Sequence, residues 1–109
     1  MKRTYEDYIN DIVEAIALIE EFTEGMEFED FERDRKTQFA VIRALEVIGE
    51  AAKAIPTEFK VKHPEIPWRE MSRMRDKLIH AYFGVDLRVV WKTIKEDIPE
   101  LSKKLRKIL

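Results

Sequence analysis

Residues 40–55 have the sequence AVIRALEVIGEAAKAI, which would be apolar around most of the circumference of a helix. At about 100° per residue, the apolar positions of this stretch cover well over half of the helical wheel. The charged side chains fall on one narrow stripe, made of Arg43, Glu46, Glu50 and Lys53. Such a helix must be covered on several sides, so we predict that it is either the central helix of a bundle or part of a subunit interface.

The charged stripe and the small residues of this stretch predict how the helix packs. The spacing of the four charged residues favours pairing among themselves at i,i+3 and i,i+4 over a chemical role. Gly49 and the many alanines would allow a neighbouring backbone to approach closely.

The sequence before this stretch predicts one further long helix. From Tyr5 to about Phe22, apolar residues recur at three- and four-residue spacing, which is typical of an amphipathic helix. Gly25 then interrupts the pattern. We expect the apolar-rich helix to begin at Phe31 or Arg33 and to end at Ile55, because Pro56 cannot continue it.

The sequence after this stretch predicts an irregular connection over residues 56–67, with one helical turn near Glu58 to Lys62. A third long helix is predicted from Trp68 to about Tyr82, because Pro67 suits a helix start.

Two more helices are predicted near the C-terminus. Gly84 is a plausible C-cap, and Asp86 is a plausible N-cap for a helix from Leu87 to about Asp97. Pro99 would open a last helix that runs to Leu109. The sequence therefore predicts an all-α fold, an antiparallel up-and-down bundle of four to five helices, formed by residues 1–109 as one domain.

The composition excludes several classes of function. The 109 residues include no cysteine, which removes disulfides, thiolate catalysis and thiolate metal sites. No apolar run approaches the roughly 18 residues that span a bilayer, and no signal-peptide pattern is visible, so we expect a cytoplasmic protein without membrane contact.

The charge is distributed unevenly along the chain, although the net charge is only −2. Residues 4–34 hold twelve acidic side chains and one arginine, whereas residues 68–109 hold eleven basic and six acidic side chains. Either an anionic ligand lies against the later half, or solvated helix faces simply differ in sign. Both interpretations stay open.

The segment Arg75-Asp76-Lys77-Leu78-Ile79-His80-Ala81-Tyr82 carries the candidate chemistry. On a helical wheel Arg75 lies at the edge of the apolar face, where it should meet a carboxylate, a phosphate or a facing subunit. His80 projects about 140° away from Arg75 and lies beside Asp76, whose carboxylate could orient the imidazole.

Each of these residues alone has an ordinary structural explanation, such as a surface histidine, a stacked arginine or a packed tyrosine. Together, a general acid/base, a fixed cation and an acidic orienting group could cleave an RNA phosphodiester without metal. The two histidines, His63 and His80, do not have the spacing of a metal site, so neither a metal nor another cofactor is expected.

The pattern Arg75-x4-His80-x-Tyr82 resembles the R-x4-6-H signature of HEPN domains, in the form found in HepT-like proteins. The segment 43–53 and the Pro67-Trp68 pair before the motif helix are also similar to that family. The resemblance spans essentially the whole chain.

This resemblance implies a homodimer in which two motif helices face one another and form a shared cleft that cleaves RNA, either tRNA or mRNA. Arg75 and His80 would be the catalytic pair, and Asp76 would support them. Tyr82 matches the tyrosine that, in HepT-like toxins, is adenylylated by an MntA-like minimal nucleotidyltransferase antitoxin.

Two other functions stay open. The same cleft could hold a nucleotide, RNA or a nucleotidyltransferase partner without catalysis. Alternatively, the chain could form a purely structural helical dimer in which Arg75 and His80 pair across the interface.

Overall fold

The computed structural model describes residues 3–79 and 84–109, and the regular structure in these ranges is helical, without a β-strand. The elements, in chain order, are α1 Tyr5–Thr23, α2 Phe28–Arg33, α3 Arg35–Ala54, α4 Thr57–Lys62, α5 Trp68–Ile79, α6 Leu87–Lys92, a π-helical segment Thr93–Asp97, and α7 Ile98–Ile108. The predicted all-α class is confirmed. Among the described residues, none of the helices combines the length and apolarity needed to cross a bilayer.

Helix α3 is the centre of the bundle and packs between α1 and α5. It buries Val41, Leu45 and Ile48 almost completely. Burial of each such side chain stabilises the fold by roughly 1.5–3 kcal/mol. Small residues fill much of the remaining contact surface, namely Ala44, Gly49, Ala51 and Ala52. The first of the two predicted roles for this helix, the central position in a bundle, is confirmed.

Helix α1 begins at Tyr5, as predicted, because Thr4 caps it. The Thr4 hydroxyl accepts from the backbone N–H of Asp7 at 3.4 Å, and the Asp7 carboxylate accepts from the Thr4 N–H at 2.8 Å. The helix ends at Thr23, followed by Gly25 with a φ of 75°.

The start of the central helix differs from the prediction, because a break at Asp34 separates α2 from α3. The Asp34 carboxylate accepts from the backbone N–H of Thr37 at 3.0 Å, and this bond lowers the pKa of Asp34. Aspartate in this position competes with the helical hydrogen bonds and begins a new helix. The short α2 buries Phe31, whose ring lies 5.2 Å from that of Trp91 between centroids.

Helix α6, the π-helical segment and α7 follow one another without a break, and we call residues 87–108 the C-terminal rod. Asp86 caps it as predicted and accepts from the backbone N–H of Arg88 at 3.0 Å. Helix α7 begins beside Pro99, as predicted, but no turn precedes it. In the π-helical segment the N–H of Ile98 donates to the carbonyl of Thr93, five residues earlier. A proline ring clashes with the carbonyl four residues back in a regular α-helix, and a widened turn relieves that clash.

Helix α5 starts at Trp68, as predicted, and its indole N–H donates to the carbonyl of His63 at 3.0 Å. The predicted turn near Glu58 to Lys62 is present as α4. The last part of the predicted motif helix, which includes His80 and Tyr82, lies outside the described residues.

Candidate active site

Helix α5 carries the first two residues of the motif, Arg75 and Asp76, on its side towards α3. His80 and Tyr82 lie outside the described residues, so the predicted grouping of the four side chains stays a prediction.

Helices α3 and α5 approach each other closely at Gly49. A Cβ atom at position 49 would overlap Cβ of Arg75 and would lie only 2.7 Å from the carbonyl oxygen of Met71. Only glycine fits this contact. The predicted close approach at Gly49 is confirmed, and the side chain that uses the space is Arg75.

The Arg75 side chain is 27% exposed and meets two carboxylates. Its Nη1 lies 3.3 Å from Oδ1 of Asp76, and its Nε lies 3.9 Å from Oε1 of Glu50. Nε is buried and has no hydrogen-bond partner among the described residues. The expectation that Arg75 needs an anionic partner is therefore met within the described part of the chain.

Each of these carboxylates is also bound by a second cation. Arg43 Nη1 lies 3.5 Å from Oε1 of Glu50, and Lys53 Nζ donates to Oδ1 of Asp76 at 2.6 Å. Arg43, Glu50, Arg75, Asp76 and Lys53 form a row of alternating charge, which we call the α3–α5 charge network. It connects the outer stripe of the central helix to the motif helix.

The charge network corrects part of the prediction for the stripe on α3. Arg43 does pair with Glu46 three residues later, at 3.4 Å. Lys53, however, pairs with Asp76 on α5, and Glu50 lies between Arg43 and Arg75. Spacing within one helix shows only which residues share a face, so it could not predict these partners.

The ammonium group of Lys53, with a smaller contribution from the Arg75 guanidinium, holds the pKa of Asp76 below its ordinary value. Partial desolvation opposes this shift but does not outweigh it. Asp76 is thus ionised near neutral pH. It can accept hydrogen bonds and offset positive charge, but it does not supply a proton to a reaction.

His63 lies away from this network, between α4 and α5. Its Nδ1 is 3.3 Å from Oε1 of Glu65, and its ring packs on Phe59 with 4.6 Å between centroids. Within residues 3–79 and 84–109, no three histidine, aspartate or glutamate side chains gather in a metal-binding arrangement.

A cleft of about 660 Å³ lies between α5 and the C-terminal rod, and Arg75 is not among the residues that line it. Arg73 and Lys77 line it, two residues before and two after Arg75. Its floor is mainly apolar and includes Met74, Leu78 and Val90. None of the five residues of the charge network lines this cleft.

The sequence of the chain matches one known protein family. The model of the family described as ribonuclease HepT-like matches residues 12–108. The chain belongs to the HepT-like family. The resemblance inferred from the Arg75-x4-His80-x-Tyr82 pattern is thus confirmed at the level of the family, and the matched range includes the pattern and the charge network.

This HepT-like chain is 71% identical over 108 residues to the "Probable ribonuclease HepT" of Thermococcus cleftensis, which covers 99% of this chain and 98% of that protein. A protein of Methanocaldococcus jannaschii named as a candidate RNase is 48% identical over 108 residues, 99% of this chain and 89% of that protein. A protein of Caldanaerobacter subterraneus with a similar name is 46% identical over 107 residues, 98% of this chain and 96% of that protein. No solved structure matches the chain.

Proposed function

We propose that this HepT-like chain is an endoribonuclease that cleaves RNA, with tRNA or mRNA as substrate, without a metal ion. The observation that carries the proposal is the position of Arg75, a partly exposed side chain whose stem packs on Gly49 and whose guanidinium lies between two carboxylates. The ribonuclease names of the relatives support the reaction class.

The proposed reaction uses the ribose 2′-hydroxyl as the nucleophile. His80 removes the proton of this hydroxyl, whose oxygen attacks the adjacent phosphorus and displaces the 5′-oxygen of the next nucleotide. The protonated imidazole then gives a proton to the leaving oxygen, so the products are a 2′,3′-cyclic phosphate and a 5′-hydroxyl. Imidazole suits both steps near neutral pH, and Arg75 stabilises the additional negative charge of the phosphorane-like transition state.

The proposed site is shared by two protomers. If the helix continued through residue 80, helical periodicity would separate Arg75 and His80 by about 140°, which would not favour contact of both with the same phosphate. A two-fold axis beside α5 would bring Arg75 of one protomer towards the partner's His80. Ile79, one turn after Arg75 on the same face and 41% exposed, provides apolar surface that such a contact would cover.

Cleavage of RNA in excess EDTA tests the proposed reaction. We expect the protein to cut RNA equally with and without the chelator, to leave 2′,3′-cyclic phosphate ends, and to spare a strand with 2′-deoxyribose at the cleaved position. Loss of cutting in EDTA that returns with Mg²⁺ would contradict the metal-independent mechanism. Binding of intact RNA with no products after long incubation would favour the non-catalytic alternative.

We further propose that the chain is the toxin of a toxin-antitoxin pair and that an MntA-like minimal nucleotidyltransferase adenylylates Tyr82. The phenol oxygen would attack the α-phosphorus of ATP and release pyrophosphate. The attached nucleotide would add bulk and negative charge two residues from His80, and both would exclude RNA.

Incubation with ATP and such a partner is expected to add one AMP to the wild-type chain and none to Tyr82→Phe, as measured by mass spectrometry. Tyr5→Phe is the matched control, because Tyr5 is 41% exposed but lies on α1. Labelling that persists in Tyr82→Phe and is lost in Tyr5→Phe would overturn the assignment of Tyr82.

A further inference from the structure

The carboxylate of Glu50 lies beside the buried Nε of Arg75. We propose that Glu50 is a positioning residue that sets the orientation of the Arg75 guanidinium for catalysis. This inference rests on the proposed ribonuclease function, in which Arg75 faces the phosphate.

The packing of α3 against α5 fixes the stem of Arg75. A Cβ atom at position 49 would overlap Cβ of Arg75 and would lie 3.1 Å from its Cγ, so the stem rests directly on the backbone of Gly49. Because the first part of the side chain has no room to move towards α3, its remaining freedom lies in the outer torsions. Those torsions decide which edge of the guanidinium faces an anionic substrate.

Two carboxylates limit these outer torsions. Asp76 accepts a hydrogen bond from Nη1 at 3.3 Å, and Glu50 is the carboxylate nearest to Nε, at 3.9 Å. Asp76 alone fixes only Nη1, so the guanidinium plane could still rotate about this contact. Glu50 lies beside Nε and limits that rotation. Among the described residues these contacts use Nε and Nη1, so Nη2 is the nitrogen that we expect to meet a phosphate.

The Glu50 carboxylate also forms an ion pair with Arg43 on α3. Arg43 Nη1 lies 3.5 Å from Oε1 of Glu50, the same oxygen that faces Arg75. The carboxylate therefore keeps a counter-ion when Arg75 engages a phosphate. Arg43 also pairs with Glu46 at 3.4 Å, and Glu46 has no ion pair with Arg75. Glu46 is thus the matched control: it shares Arg43 but does not contact the guanidinium.

A positioning role and simple charge repulsion predict opposite results when Glu50 is removed. A carboxylate that only repelled RNA would lower the affinity, so Glu50→Ala would cleave as fast as wild type or faster. A carboxylate that orients Arg75 would support the transition state, so Glu50→Ala would lower kcat and leave KM unchanged or lower.

The test compares Glu50→Ala, Glu50→Gln and Glu46→Ala with the wild-type protein. Cleavage kinetics and the solvent exchange of the Arg75 Nε–H, assigned in ¹⁵N-labelled protein by its loss in Arg75→Lys, are both measured. For Glu50→Ala we expect faster exchange and a kcat lower by about 10- to 100-fold, with an unchanged melting temperature. Glu50→Gln should recover most of the rate, because its amide oxygen can take the place of the carboxylate oxygen beside Nε. Glu46→Ala should match wild type.

Two results overturn the inference directly: wild-type Nε–H exchange in Glu50→Ala, or faster exchange with an unchanged kcat. Failure of the proposed function is a separate result, because a wild-type chain that cuts no RNA overturns the ribonuclease proposal and the catalytic role of Glu50 together. Nε–H exchange distinguishes this case, since it reports on the contact between Glu50 and Arg75 without any substrate.

Discussion

Arg75→Ala is expected to lower the rate of RNA cleavage by about 10²- to 10³-fold, the usual cost of removing a preorganised group that stabilises transition-state charge. The fold should persist, because the two carboxylates beside Arg75 keep their other partners. Glu50 retains Arg43 at 3.5 Å, and Asp76 retains Lys53 at 2.6 Å. Single-turnover cleavage at saturating protein, with circular dichroism as the check on folding, measures both expectations.

Arg73→Ala is the matched control for this substitution. Arg73 lies on the same helix two residues earlier and lines the cleft between α5 and the C-terminal rod, which Arg75 does not line. Its removal should change the cleavage rate by much less than that of Arg75. Equal loss in both variants would mean that Arg75 acts only as one of several surface cations, and wild-type cleavage by Arg75→Ala would remove it from the catalytic pair.

His80→Ala is expected to lose about 10²- to 10⁴-fold in rate, as the loss of a general acid/base does. Mixed dimers then test the shared cleft. When Arg75→Ala and His80→Ala chains are combined, one site of each heterodimer receives both intact residues if the site is shared. Cleavage should therefore return to roughly a quarter of the wild-type level after random mixing. No recovery would place both residues in one protomer.

Features of the fold that depend on local pattern could be predicted from the sequence. The apolar circumference of residues 40–55 predicted either a central helix or an interface helix, and α3 is central. Thr4 and Asp86 cap helices where side-chain chemistry favours a cap. These features depend on neighbours in the chain. The break at Asp34 was missed because a capping aspartate interrupts an otherwise continuous apolar pattern.

The pairing of Lys53 with Asp76 and the position of Glu50 beside Arg75 depend on how α3 crosses α5. Helical periodicity within α3 cannot specify that crossing. The one sequence signal for it is Gly49, since glycine inside a helix costs about 1 kcal/mol relative to alanine and needs a structural reason. Of the predicted site residues, Arg75 and Asp76 are thus placed beside partners that the sequence did not predict.

Gly49→Ala is expected to lower the free energy of unfolding by about 1–3 kcal/mol, although alanine is the better helix former. The new Cβ would overlap Cβ of Arg75 and would lie 2.7 Å from the Met71 carbonyl oxygen. Because one of these atoms belongs to the backbone of α5, no side-chain rotation relieves the contact, and the two helices must separate. At about 4–8 °C per kcal/mol, the melting temperature should fall by roughly 4–24 °C at a fixed protein concentration.

The same separation should also slow RNA cleavage, because it lengthens the contacts of Glu50 with Arg75 and of Lys53 with Asp76. Gly25→Ala is the control: no atom lies within 4 Å of its new Cβ, so its cost comes from the φ of 75° alone. We expect Gly25→Ala to lose stability without loss of cleavage by the remaining folded protein, whereas Gly49→Ala loses both. A Gly49→Ala protein as stable as wild type would mean that α3 and α5 do not approach this closely. The packing of the Arg75 stem on Gly49 would then be wrong.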